Sequence, residues 1–175
     1  MNLHKFWAIR ENQKGFTMIE VIAVTLITGL LGIGVAMAST QVVKQGASNS
    51  DYTTASRHTM NAIYWVSRDA QMSQTLEPGE ESGFPLILGW TEWDNSEHQV
   101  VYSVSEDNNL RRSYSINGGE QRQTVVAQYI NSVSENTTCE VNGDNLTLKV
   151  TCTVGTGSNA VSVTKEREIT PRPDL

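Results

Sequence analysis

Proline is nearly missing from the first half of this 175-residue chain. The four prolines are Pro78, Pro85, Pro171 and Pro173, so none falls within residues 16 to 77. Nothing there removes a helical N–H or clashes with the preceding turn. Charge is missing as well, since Val21 to Val43 is 23 residues without an acid or a base. Histidine is limited to His4, His58 and His98, which read as isolated side chains, the last two on the surface. GxSxG, HExxH, CxxC and phosphate-loop patterns do not occur. No catalytic residue, metal ligand set or cofactor is therefore expected, and the chain reads as non-enzymatic.

What is present is unevenly placed. The net charge is -6. Residues 1 to 15 carry Lys5, Arg10 and Lys14 against Glu11, and the remainder holds ten basic against eighteen acidic residues. An acidic body argues against general nucleic-acid binding through phosphate neutralisation. Arg111-Arg112 is the one adjacent basic pair and leaves room only for a local basic patch.

The uncharged run is long enough to span a hydrocarbon core of roughly 30 Å at about 1.5 Å per residue. A basic flank before it and an acidic body after it put residues 1 to 15 in the cytoplasm and the bulk outside. Ala36-Met37-Ala38 loosely fits a signal-peptidase site. A conventional apolar core, however, has no use for Glu20. A charge at the centre of a membrane helix costs about 2.5–3.5 kcal/mol, less near an interface.

Lys14-Gly15-Phe16-Thr17-Met18-Ile19-Glu20-Val21 resembles the class III leader junction of type IV prepilins and of the pseudopilins of type II secretion. The resemblance implies cleavage between Gly15 and Phe16 by a prepilin peptidase, with Lys14 in the recognised leader. It implies N-methylation of Phe16 by the same enzyme and an assembly role for Glu20. Each position has a chemical reason. Gly15 lets the backbone lie extended in a protease cleft. Cleavage creates a cationic amine on Phe16, and a carboxylate in an apolar medium needs such a partner. Glu20 lies four residues from its own amine on one helix face. In the family it is thought to pair with a neighbouring subunit's amine, and both options stay open. The partners implied are the prepilin peptidase/methyltransferase, other pilin or pseudopilin subunits, an inner-membrane assembly platform and membrane lipid. The implied location is the cytoplasmic membrane, single-pass with the C-terminal domain outside, then a periplasmic or cell-surface filament.

The helical pattern continues past Lys44. Tyr52, Ala55, Thr59, Ala62, Ile63, Val66 and Ala70 form an amphipathic face, with Arg57, His58, Arg68 and Asp69 off it. Leu76-Glu77-Pro78-Gly79 should end the helix. Gly29, Gly32 and Gly34 weaken its first half or permit close helix packing. Beyond Pro78 the pattern predicts an antiparallel meander of about six strands. They are Phe84 to Trp90, Gln99 to Val104, Leu110 to Ile116, a strand or short helix from Thr124 leading into Val133 to Val141, Leu146 to Val154, and Val161 to Ile169. The fold class is α+β and pilin-like: leader 1–15, transmembrane or filament-core helix 16–44, amphipathic continuation 45–76 and antiparallel β head 77–175. The segments L-R-R-S-Y-S-I-N-G-G, T-V-V-A-Q-Y-I-N-S-V and V-S-V-T-K-E-R-E-I-T-P-R look like the J-type minor pseudopilins and related minor pilins, with a major pilin as the rival.

An oxidising compartment favours a Cys139–Cys152 disulfide. A four-residue hairpin loop at Asn142 to Asn145 would instead set Cys139 opposite Leu148, about 13 Å from Cys152. A disulfide reaches about 7 Å between alpha carbons, so it requires a longer loop, a shifted register or a bulge. Asp94-Asn95-Ser96-Glu97 and Glu106-Asp107-Asn108-Asn109 offer oxygen ligands of the kind calcium takes but read as solvated turns. Trp90, Trp93 and Tyr102 read as core or subunit contacts ahead of an adhesive patch. The function expected is a structural subunit of a type IV pilus-like filament. The alternative is a single-pass anchored binding module for DNA, a surface or an exported substrate that does not polymerise.

Overall fold

The computed structural model describes residues 15–80 and 82–172. Helix α1 runs Met18–Met72 without interruption, as the absence of proline predicts. The chain divides into two compact units between Gln45 and Gly46.

In the second unit, α1 presents Ala55, Thr59, Ala62, Val66 and Ala70, all fully buried, at spacings of three and four. Small side chains along that row let the backbone approach the strands closely. Thr59 shares its hydroxyl proton between the Ala55 carbonyl at 2.8 Å and the Val163 carbonyl at 3.2 Å, which ties helix to strand. The helix ends where the Ser73 N–H is split between the Asp69 and Ala70 carbonyls and the Ser73 hydroxyl donates to Ala70 O at 2.7 Å. Gln74 N–H then donates to Gly89 O and carries the chain straight into a sheet.

Eight antiparallel strands follow in two sheets, where a single meander of about six was expected. The first sheet orders β1 (Thr75–Gly79), β2 (Gly83–Thr91), β3 (Glu97–Val104), β4 (Leu110–Ile116) and β5 (Arg122–Ala127). The second orders β6 (Thr138–Asn142), β7 (Asn145–Val154) and β8 (Val161–Ile169). The strand β1 replaces the expected helix terminator. Its pairing with β2 shifts register between Glu77 and Gly79, so Pro78 sits at a bulge on an edge strand, where its missing N–H costs no ladder bond. The Thr124 segment is a strand only to Ala127. Residues 128–137 cross irregularly to β6, with one bridge between Ile130 and Cys152.

The two sheets touch at Gly83. Its φ is +79°, and a Cβ there would lie 1.8 Å from the Cys139 carbonyl oxygen, while Cys139 N–H donates to Ser82 O at 2.8 Å. Only glycine fits both the left-handed backbone and the contact. The core combines Leu86, Leu88 and Val100 of the first sheet with Leu146, Leu148 and Val150 of the second against α1.

The hairpin between β6 and β7 is tighter than expected. Asn142 pairs with Asn145, leaving a two-residue turn of Gly143 and Asp144. Cys139 still falls opposite Leu148, and Cys152 lies four positions further along β7, paired with Val163 on its other side. Both cysteines are buried free thiols, so the favoured disulfide is not formed. The cause is register, which is fixed by the short turn. Burial, with Glu140 nearby, pushes the Cys139 thiol up to about 12, and burial raises Cys152 too.

Candidate functional site

The junction singled out by the sequence lies at the start of α1. Lys14 falls outside the described residues. Gly15, Phe16 and Thr17 precede the helix and are exposed, with Phe16 at 80%. A side chain added at Gly15 would meet nothing within 4 Å. Among the described residues nothing covers the Gly15–Phe16 peptide bond.

The Thr17 carbonyl accepts the Glu20 N–H at 3.0 Å. Glu20 folds back in turn, its Oε2 accepting the Thr17 N–H at 3.4 Å and hydroxyl at 3.5 Å. This is half of a capping box: the third helical residue satisfies the N–H of the capping residue, and its charge suits the positive end of the helix. Sequence reasoning missed this role, although Thr-x-x-Glu before an apolar run is its signature.

Past Glu20, α1 is long and apolar enough to cross a membrane, and none of that stretch is buried within the protein. Its hydroxyls are settled internally. Thr25 donates to Ile22 O, Thr28 to Val24 O, Ser39 to Val35 O and Thr40 to Met37 O, all within 2.9 Å. A polar group with its bond already made enters an apolar phase at far lower cost than a free one. The helix passes through Gly29, Gly32 and Gly34 unbroken, with open space at each.

Residues 10–36 match the family model described as the prokaryotic N-terminal methylation motif. This motif supports a type IV pilin-like precursor. The matched stretch spans the junction and the start of α1, and the family it supports is that of type IV pilins and pseudopilins, which are structural proteins. Nothing among the curated proteins or the solved structures matches the chain. A leader of this kind implies processing by a prepilin peptidase and assembly with other pilin subunits. The exposed apolar helix fits membrane anchoring of such a precursor. The long helix packed on antiparallel strands is the α+β arrangement expected of a pilin-like fold.

The head corrects two residue assignments, those of Asp69 and His98. Asp69 is 1% exposed, although its charge placed it off the buried face. Its Oδ2 accepts the Tyr102 hydroxyl at 2.5 Å and Arg112 Nε at 2.6 Å, and its Oδ1 accepts Arg112 Nη2 at 3.3 Å. Burial, then the Asp69 carboxylate, pushes the Tyr102 hydroxyl well above its ordinary value. Burial opposes the Arg112 charge, but the bonds and charge of Asp69 outweigh it and hold the guanidinium up. Arg112 also lies over Trp65 and Tyr114, so Arg111-Arg112 is not a patch for phosphate.

His98 is buried rather than on the surface. It stacks on Trp90 at 5.2 Å between Tyr114 OH on Nδ1 and Ser96 Oγ on Nε2. Trp90 and Tyr102 join the core while Trp93 is 93% exposed, so the three aromatics form no patch. Asp94 accepts the Ser96 N–H and hydroxyl in a closed turn. Among the described residues no group of three or more candidate metal ligands comes together.

Proposed function

We propose that the chain is a subunit, minor pilin or pseudopilin, of a type IV pilus-like filament. Prepilin peptidase recognises the leader through Lys14 and its neighbours, cuts between Gly15 and Phe16, and methylates the new amine of Phe16. The helix to about residue 44 then leaves the membrane for the filament core, the amphipathic continuation carries the β head, and the assembly platform drives the transfer. The head lies outside the cytoplasmic membrane, and the assembled subunit lies in a periplasmic or cell-surface filament.

The observation that carries this reading is the methylation motif at residues 10–36, which runs into an apolar stretch of α1 that is not buried within the protein. That surface needs lipid or other helices to cover it. Glu20 supports the assembly role by its direction. It already turns back toward the end of the helix where cleavage would create an amine.

Intact-mass and N-terminal analysis of chain extracted from cells containing their native prepilin peptidase tests the processing. The expected product begins at Phe16 and carries one added methyl group. A chain that keeps residues 1 to 15 in such cells sinks the reading.

A further inference from the structure

We propose that the head carries a binding cleft for a neutral saccharide, centred on Tyr129. The cleft has a volume of about 630 Å³, within the range of small-ligand sites. It opens where the β3–β4 turn meets the irregular segment after β5 and the end of β7. The residues lining it include Asn108, Asn109, Gln128, Tyr129, Asn131 and Thr153.

Three features select the ligand class. Carboxamides and hydroxyls both donate and accept, which matches the vicinal hydroxyls of a sugar. No lysine or arginine lines the cleft and Asp107 is its one charged residue, so phosphates and other anions are disfavoured, as is a metal needing several carboxylates. Tyr129 is 44% exposed and offers an amphipathic ring to the C–H face of a pyranose. Asn109 and Gln128 bond the protein through their backbones, which leaves their side-chain amides for a ligand.

The backbone supplies a separate argument. Tyr129 has φ +61° and Asn108 φ +56°. Asparagine tolerates this region, but a bulky aromatic there is an outlier, and such strain gathers at functional sites. The neighbours hold it in place. Gln128 N–H donates to His58 Nδ1 at 3.1 Å, Ile130 N–H to Asn108 O at 2.8 Å and Thr153 N–H to Tyr129 O at 2.8 Å. Burial and Arg57 lower His58 toward the neutral form that accepts this bond. Its ring meets Tyr129 edge-on at 5.4 Å. The head thus holds an unfavourable conformation at a half-exposed aromatic residue that lines an amide-rich cleft.

The test uses full-length chain in lauryldimethylamine oxide, a detergent without a sugar headgroup. The probes are immobilised maltotetraose, chitotetraose and lactotetraose, with sialyllactose as the anionic comparison. Wild-type chain should be retained on at least one neutral glycan and released by the same free sugar. Gln128→Ala and Tyr129→Ala should each weaken retention by about tenfold or more, the loss of one good polar or stacking contact. Gln128 is exposed, so its truncation leaves the fold intact and keeps the test valid should Tyr129→Ala misfold. Tyr129→Gly should lose retention while raising the melting temperature, because glycine adopts this backbone freely. Failure to bind any of the three neutral glycans, preference for sialyllactose, or undiminished retention by Gln128→Ala overturns the proposal. The cleft does not depend on polymerisation, so the fate of residues 1 to 15 is decided separately.

Discussion

Asp69 on α1 and Arg112 on β4, 43 positions apart in sequence, meet with Nε 2.6 Å from Oδ2. The carboxylate is sealed from water, whereas the guanidinium side chain keeps 14% of its surface exposed. Removing one partner from such a pair leaves an uncompensated buried charge, at a cost of about 3–5 kcal/mol. Arg112→Met should therefore lower the stability of the head by that order in denaturant melts. In an Asp69→Asn background the same substitution should cost much less, since no buried charge is then stranded. Equal costs in both backgrounds would show that packing on Trp65 and Tyr114, not the ion pair, is what Arg112 supplies.

Glu20 combines a charge with a cap, and the two can be separated. Glutamine at the third helical position caps as glutamate does. Glu20→Gln should keep helix content by circular dichroism and keep cleavage after Gly15, yet lose most filament incorporation. Glu20→Ala should in addition fray the first turn. Normal incorporation of the Gln variant would make the cap, and not the charge, the assembly determinant.

Alkaline pH should destabilise the head. The Cys139 thiol is raised from 9.0 to about 12 in the folded chain, and Cys152 is raised in the same sense. A group held protonated by folding contributes full stability below its unfolded value and loses it as pH rises toward the folded one. Stability should fall from about pH 9 upward by roughly 1.4 kcal/mol per pH unit for each thiol that must ionise. Urea midpoints from pH 7 to 11 measure this. Cys139→Ala should flatten the decline, and native chain should react slowly with thiol reagents at neutral pH.

Gly83→Ala should be among the most damaging single-methyl changes in the head. The new Cβ would meet the backbone of Cys139, which cannot rotate away, and the left-handed φ adds strain. A loss of about 3 kcal/mol or more is expected in denaturant melts. Gly143→Ala, with positive φ but open space, should cost less and serves as the control.

Much of this fold is legible in the residues. Proline-free spacing gives α1, and Leu110–Ile116 and Val161–Ile169 form strands with the limits their alternation predicts. The misreadings have physical causes. Pro78-Gly79 signals a stop to any local rule, and only pairing with β2 turns it into a bulged edge strand. The helical pattern leaves Asp69 off the buried face because its partners are 33 and 43 residues away. The split into two sheets depends on a close approach at Gly83 and on residues 128–137, where no periodicity exists to read. The methylation motif at residues 10–36 is legible because its signal lies in contiguous side chains. The cleft at Tyr129 was not, because a positive φ leaves no mark in the sequence.

The hydroxyls of Thr25, Thr28, Ser39 and Thr40 are all turned inward onto the helix's own carbonyls. This part of α1 consequently shows its surroundings no directional polar group, only relief: protruding Leu, Ile and Val with hollows at Gly29 and Gly32. Neighbours along it are selected by topography. A one-methyl change in those hollows should therefore alter which helices nest there more than any change of charge outside them.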